Sequence, residues 1–392
     1  MKNEPKIRIK GFEGEWKECL LGDICEINPH SELPDNFEYV DLESVVGTTM
    51  VSHRTENIKT APSRAQRLAQ YNDIFFQTVR PYQRNNYLFK KKDGIYVFST
   101  GYAQIRTSMD SGFLFTILQS DSFVNQVILN STGSSYPAIN PTNLAKLSID
   151  IIENKSEQRA IATYFRHIDS LIETADKKIA SLKQVKEASL QSMFPKEGQK
   201  VPEVRFKGFE GEWKIDELGN LFTERVESDV FAEMLSVTQS QGIIKANENG
   251  RYDNSNNDKS KYRLVKVGDI AYNSMRMWQG ASGYSPYYGI VSPAYTVVVP
   301  NNNVDSCFFA YMFKTAIMIK QFRLHSQGLT TDTWNLKFPA FSKIDVTYPD
   351  DTAEQRKIAS FFVHLDKQIA IAQQRLDLLR RIKSACLDEM FV

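Results

Sequence analysis

Residues Lys10–Lys17 read KGFEGEWK, and the same eight residues return at Lys207–Lys214. Eight identities at one offset of 197 do not arise by chance, and a missed repeat misassigns an entire architecture. The match widens upstream, where PKIRIKGFEGEWK from Pro5 aligns with PEVRFKGFEGEWK from Pro202 at ten of thirteen positions. Two further pairs keep the offset: EQRAIATYFRHIDSLI at Glu157–Ile172 with EQRKIASFFVHLDKQI at Glu354–Ile369, and ASLQSMF at Ala188–Phe194 with ACLDEMF at Ala385–Phe391. The chain is therefore a tandem duplication. Residues 18–155 and 215–352, between these anchors, are equally long yet share only faint likenesses such as NDIFFQTVR at Asn72 and GDIAYNSMR at Gly268. Two like frames hold two unlike inserts.

Downstream of Glu157 the apolar residues fall at Ile161, Phe165, Ile168, Ile172, Ala175, Ile179 and Leu182, steps of four and three that mark a coiled-coil seam. The second copy runs Ile358, Phe362, Leu365, Ile369, Ala372, Leu376 and Leu379. Asn154 with Glu157, and Asp351 with Glu354, carry the spacing of a helix-capping box. No proline or glycine interrupts either run, so each predicts a helix of roughly 38 residues and about 57 Å. If a pseudo-two-fold axis relates the halves, the helices pair antiparallel, and each octapeptide docks the start of its insert onto them. The order anchor, insert, helix, repeated once, also predicts that the chain ends lie close together.

The expected fold is α+β. Residues 1–155 form a first mixed α/β domain with its anchor at 5–17, and 156–195 the first long helix. Residues 196–352 form the second domain with its anchor at 202–214, and 353–392 the second helix. GIYVFST (Gly94–Thr100), AYTVVVP (Ala294–Pro300) and KIDVTYP (Lys343–Pro349) read as strands, and Asn247–Lys261 as a polar loop. At 392 residues the chain exceeds one compact core. Its four cysteines are scattered without C-x-x-C spacing, which fits free thiols in a reducing cytoplasm and no metal site. No apolar run predicts a membrane span, and the start lacks a signal peptide's hydrophobic segment. A net charge of +1 neither demands nor excludes nucleic acid, so any such signal must be local.

One local signal is RPYQRNNYLFKKK at Arg80–Lys92, with five basic residues and no acid. Arginine brackets guanine edges, Asn and Gln bracket adenine edges, and lysine neutralises phosphate. This selects Arg80, Tyr82, Gln83, Arg84, Asn85, Asn86, Lys90 and Lys91, with Arg64 and Arg67 upstream. In the second insert NSMRMWQGASGYS offers Asn273, Arg276, Trp278, Gln279 and Tyr284. Two late polar turns, Ser131–Asn140 and Ser326–Asn335, add Ser134, Ser135, Thr330 and Thr331 as phosphate contacts.

Catalytic patterns fail on inspection. Ser285-Pro286-Tyr287-Tyr288 lacks the second proline of the adenine-methyltransferase loop, and no glycine-rich loop for a methyl donor precedes it. Asp350, Glu354 and Arg356 are too closely spaced for a nuclease site. His167 and Asp169, repeated as His364 and Asp366, project about 200° apart on a helix and suit packing or partner contact. No G-x-x-x-x-G-K-[ST] loop is present. No residue is assigned a catalytic role.

The repeated KGFEGEWK anchors, the E-Q-R-x-I-A helices and the two variable inserts together resemble the specificity subunit of type I restriction–modification systems. APSRAQR…NDIFFQTVRP at Ala61–Pro81 and GDIAYNSMRMWQG…GIVSPAYTV at Gly268–Val297 look like that family's target-recognition domains. The resemblance implies that each insert reads one half of a bipartite site on double-stranded DNA, with the helices fixing the gap. It implies two methyltransferase subunits, which carry S-adenosylmethionine, and translocase–nuclease subunits, which use ATP and Mg. It implies no cofactor in this chain and a cytoplasmic location. A competing expectation is a scaffold whose inserts bind proteins. An autonomous methyltransferase is a third, opposed by the missing methyl-donor motifs.

Overall fold

The computed structural model describes residues 4–239, 242–249 and 258–391. Part of the expected polar loop Asn247–Lys261 and the last residue of the expected second helix lie outside the described residues. The chain divides into two compact units, Met1–Asp176 with Gln374–Val392, and Lys177–Gln373. Each long helix gives one part of its length to each unit.

Those helices run Lys155–Ser192 and Thr352–Glu389, each of 38 residues. They stop short of the expected ends at 195 and 392, because Met193 and Phe194, and likewise Met390, leave the helix to bury their side chains. In the first seam Ile161, Phe165, Ile168, Ala175 and Ile179 are buried, while Ile172 and Leu182 are half-buried. In the second, Ile358, Phe362, Leu365, Ala372 and Leu376 are buried, and Ile369 and Leu379 half-buried. Within the first unit, Tyr164 Oη lies 3.3 Å from Cys386 Sγ, Asp169 pairs with Lys383 at 2.6 Å, and Asp176 with Arg380 at 3.3 Å. One residue number falls as the other rises, so these segments run antiparallel. Within the second unit, Asp366 pairs with Lys186 at 2.5 Å, and Phe194 stacks on Phe362 at 6.0 Å. The aspartates of the two His-x-Asp pairs thus make helix-to-helix ion pairs.

The capping expectation holds at one end of each box and fails at the other. Asn154 Oδ1 accepts from the backbone N–H of Ser156 and Glu157, and Asp351 Oδ1 from that of Ala353. Glu157 and Glu354 do not reach back to the cap. Each is fully desolvated and gripped by an arginine of its octapeptide segment: Arg8 Nε and Nη2 reach Glu157 at 2.7 and 2.8 Å, and Arg205 reaches Glu354 at 2.7 and 2.8 Å. A bidentate guanidinium outcompetes a single neutral amide for a carboxylate. The third arm of each fork donates to the Gly14 or Gly211 carbonyl at 2.6 Å. Both glycines have positive φ, +109° and +83°, which favours glycine at that turn.

The following glutamine completes the joint. Gln158 accepts from the Asp110 N–H and donates to the Ile152 carbonyl; Gln355 accepts from Asp305 N–H and donates to the Pro349 carbonyl. Asp110 and Asp305 are themselves N-caps of insert helices, Ser111–Ile117 and Ser306–Met312. Trp16 sits between Phe113 and Phe391, and Trp213 between Phe194 and Phe308. In the first unit the Ile7 N–H donates to the Glu389 carbonyl at 2.9 Å, bringing these near-terminal residues together.

The inserts are mixed α/β. The first pairs Lys17–Leu20 with Ser148–Ile151, antiparallel. It also carries two four-stranded sheets, ordered Cys25–Ile27, Tyr102–Thr107, Ile74–Gln77, Tyr87–Leu88, and Arg54–Asn57, Asn36–Val40, Tyr96–Ser99, Ala65–Leu68. The second pairs Lys214–Glu217 with Asp345–Tyr348 and has one four-stranded sheet: Phe222–Glu224, Tyr295–Pro300, Ile270–Asn273, Ser282–Tyr284. It also has two short antiparallel pairs, Leu235–Thr238 with Gly242–Lys245 and Arg263–Val265 with Gly289–Val291.

Removing one partner of a buried ion pair strands the other, at about 3–5 kcal/mol. Glu157→Ala and Glu354→Ala are expected to cost that much in urea unfolding. Glu389→Ala, which loses only the exposed pair with Lys6, is expected to cost less than about 1 kcal/mol. Equal costs would contradict the assignment of the two arginine forks.

Candidate nucleic-acid interface

The candidate residues cluster where a central strand of each insert runs out. In the first unit strand Ile74–Gln77 leads to Thr78, whose carbonyl accepts from Ile139 N–H at 3.1 Å, and Arg80 N–H donates to the Pro137 carbonyl at 2.8 Å. Thus the basic segment and the Ser131–Asn140 turn are side by side. In the second unit strand Ile270–Asn273 leads to Ser274, whose carbonyl accepts from Leu336 N–H at 2.8 Å. The Arg276 loop and the Ser326–Asn335 turn are joined in the same way. Sequence reading selected all four segments; the structure brings them together two by two.

In the first unit Arg64, Tyr82, Gln83, Lys90, Ser134 and Ser135 are exposed. Arg80 takes a left-handed backbone conformation, φ +55°, and lays its guanidinium 4.3 Å over the Tyr136 ring. Gln83 accepts from Gln77 Nε2, Lys90 donates to Asn72 Oδ1, and Lys91 donates to Tyr96 Oη. Arg67 is half-buried, and burial pulls its guanidinium pKa below the usual value. Three more of the selected residues bond the protein itself. Arg84 is turned onto the Gln119 carbonyl and the Asp121 carboxylate. Asn85 Oδ1 accepts from Gly47 N–H. Asn86 is 1% exposed and accepts from Gln77 N–H, so its side chain braces the turn and cannot reach a base edge.

The second unit is built differently. Asn273 Oδ1 accepts from the Met275 N–H, Gln279 is exposed, and Arg276 is half-exposed with no carboxylate partner among the described residues. Trp278 donates Nε1–H to the Met275 carbonyl and meets Trp334 edge-on at 5.3 Å; Arg323 lies 5.6 Å over Trp334. Thr330 and Thr331 are exposed on the turn, and Thr330 bonds Thr333. Tyr284 belongs to the core side, where burial raises its phenol pKa. Lys314 donates to the Gly280, Ser282 and Gln239 carbonyls and pins the loop that follows Trp278. Its burial pushes the ammonium pKa down to about 8.

Just before each central strand, at its end away from the loop, lies a buried aspartate, Asp73 or Asp269, at the same point of the two likenesses NDIFF and GDIAY. Arg106 clamps Asp73 at 2.9 and 2.9 Å; Arg225 clamps Asp269 at 2.7 and 3.0 Å. Arg106 lies in strand Tyr102–Thr107 and Arg225 just past strand Phe222–Glu224, so the acid is shared while its cation comes from a different place.

Residues 211–381 match the family model described as the type I restriction modification DNA specificity domain. Over these residues the chain is similar to that domain. Two solved structures resemble the chain across nearly its whole length. The S subunit of a type I restriction–modification system from M. genitalium aligns over 99% of this chain and 99% of its own, with TM-score 0.64 and 15% identity. A chain from a type I R-M system studied for complex assembly and conformational transition aligns over 96% of this chain and 97% of its own, with TM-score 0.53 and 19% identity. At these identities the likeness is one of fold. No curated protein sequence matches the chain. The Arg276 loop and its partner turn both fall inside the matched residues.

Tyr136, Trp334, Arg323 and Lys314 were not singled out from sequence. The first two lie inside the quoted turns, and an aromatic flanked by small polar residues was the available signal. Asn86→Ala is expected to lower stability by about 1–3 kcal/mol, because it leaves the Gln77 N–H buried and unpaired. Arg64→Ala, at an exposed site, is expected to stay within ~0.5 kcal/mol. Thermal unfolding of the two variants checks this, and an Asn86 variant as stable as the parent would return that side chain to the candidate interface.

Proposed function

We propose that the chain is the DNA sequence-specificity subunit of a type I restriction–modification complex. Each insert reads one half of an asymmetric bipartite site on double-stranded DNA. The two long helices form an antiparallel coiled coil that sets the gap, and the doubled frame docks two methyltransferase subunits. Translocase–nuclease subunits join to make the restricting complex. The chain itself performs no catalysis: S-adenosylmethionine is held by the methyltransferase partner, and ATP and Mg by the restriction partner.

One observation carries the reading. The same backbone hydrogen bond, Ile139 to Thr78 and Leu336 to Ser274, couples a loop to a turn in each unit, while the side chains presented differ throughout. A cation over a tyrosine faces out in one, an arginine with a tryptophan pair in the other. A true dimer with one reader per chain imposes its own symmetry on the DNA. A duplicated frame with divergent loops removes that requirement while keeping both docking faces alike. The fold likeness to the M. genitalium S subunit and the specificity-domain match support this assignment.

Exchanging residues 18–155 for the corresponding region of a relative is expected to change one half-site only. Arg80→Ala and Arg276→Ala are each expected to weaken discrimination in a single, different half by about 1–3 kcal/mol per base pair contacted. Binding selections on randomised DNA with the methyltransferase partner present read both effects. A change in both halves from a single exchange would contradict one-insert, one-half reading.

A further inference from the structure

We propose that the late turn of each insert presses one apolar side chain into the base stack of its half-site, Leu329 in the second unit and Tyr136 in the first. The inference rests on the reading of the inserts as DNA readers and adds how they deform what they read.

Leu329 is fully exposed, at 101% of its reference area, and Tyr136 is 63% exposed. Exposed leucines are commonplace, so exposure alone decides nothing. Here the backbone holds the side chain out. Gln327 and Asn335 exchange two N–H···O bonds at 3.0 and 2.8 Å and close the turn around residues 328–334. Inside it Gly328 takes φ +147°, where an added Cβ would lie 2.6 Å from the Thr333 carbonyl, and Thr333 accepts from Thr330 N–H. Leu336 then ties the turn to the end of the central strand through Ser274. The first unit repeats the device with other residues. Thr132 and Ala138 exchange two bonds of 2.9 Å, Gly133 sits at φ +92°, and Ile139 ties the turn to Thr78.

Both turns stand beside a cation and aromatic rings. Arg80 covers one face of Tyr136, and Arg323 lies over Trp334, which contacts Trp278. Such surroundings suit a stacked base, with rings and an apolar tip for the heterocycle beside an arginine. A braced apolar side chain pushed between base pairs unstacks one step and kinks the duplex, a cost recovered by the wider contact that the bend allows. A leucine can only wedge. A tyrosine with one face already taken by arginine offers the other to a base.

The test uses the complex with its methyltransferase partner and duplexes carrying 2-aminopurine at successive positions in each half-site, excluding the adenines that become methylated. Wild-type complex is expected to raise emission at one non-target step in each half. Leu329→Ala is expected to abolish the rise in the second half alone, and Tyr136→Ala in the first alone. Each should weaken binding on the order of ten-fold. Leu329→Met and Tyr136→Phe are expected to retain the signal. Both side chains are surface-exposed, and unchanged thermal unfolding of the variants confirms that folding is intact. Sequence-specific binding with emission identical between Leu329→Ala, Tyr136→Ala and wild type would overturn the wedge and leave the DNA reading standing. Failure of the wild-type complex to bind any sequence preferentially would overturn both.

Discussion

Everything in each unit converges on one buried carboxylate at the start of a long helix. Glu157 and Glu354 lie in the third position of their helices, where the orphan N–H groups and the helix dipole already favour negative charge. Desolvating such a carboxylate is costly unless its lone pairs are filled. Arg8 and Arg205 fill them with both arms of a planar fork and spend the third on the glycine turn of KGFEGEWK. Lysine has no such geometry. The neighbouring glutamines then bind the insert helix caps and the strand carboxyl ends. Anchor, insert and helix are thereby fixed by two adjacent side chains, which is why E-Q and R-x-K-G-F-E-G recur together.

The same economy governs the helix pairing. Asp169 with Lys383, and Asp366 with Lys186, are one interaction written twice, since each residue of one pair lies 197 positions from a residue of the other. The frame holds its residues to matched places. In the inserts a buried charge keeps its need for a partner while the partner itself changes. Asp73 and Asp269 both stay buried, but Arg106 and Arg225 reach them from different places in the fold. A buried charge tolerates any partner with correct geometry, so inserts can diverge around it without losing their cores.

The frame was legible in the sequence because identity at a fixed offset and a three-four apolar spacing are signals that survive without coordinates. The helices and their seams follow from them. The glutamates were misjudged because a box spacing looks alike whether the third-position acid turns to its own backbone or to an arginine 149 residues away. Asn86 and Arg84 were selected for composition alone, and composition does not tell which side chain of a basic loop is buried, as Asn86 is, or paired to a nearby acid, as Arg84 is. Tyr136 and Trp334 gain meaning only when loop and turn are neighbours, and a contact across more than fifty residues leaves no local trace. No helix among the described residues is long and apolar enough to cross a membrane.

The claim at the centre is that a doubled frame carries two independent readers. Mapping methylated adenines across a genome in cells expressing this chain with its methyltransferase partner measures it directly. The account predicts a single split motif with unlike halves, a fixed unread gap, and one methylated adenine in each half on opposite strands. A palindromic motif, or one continuous block of specified bases, would contradict it.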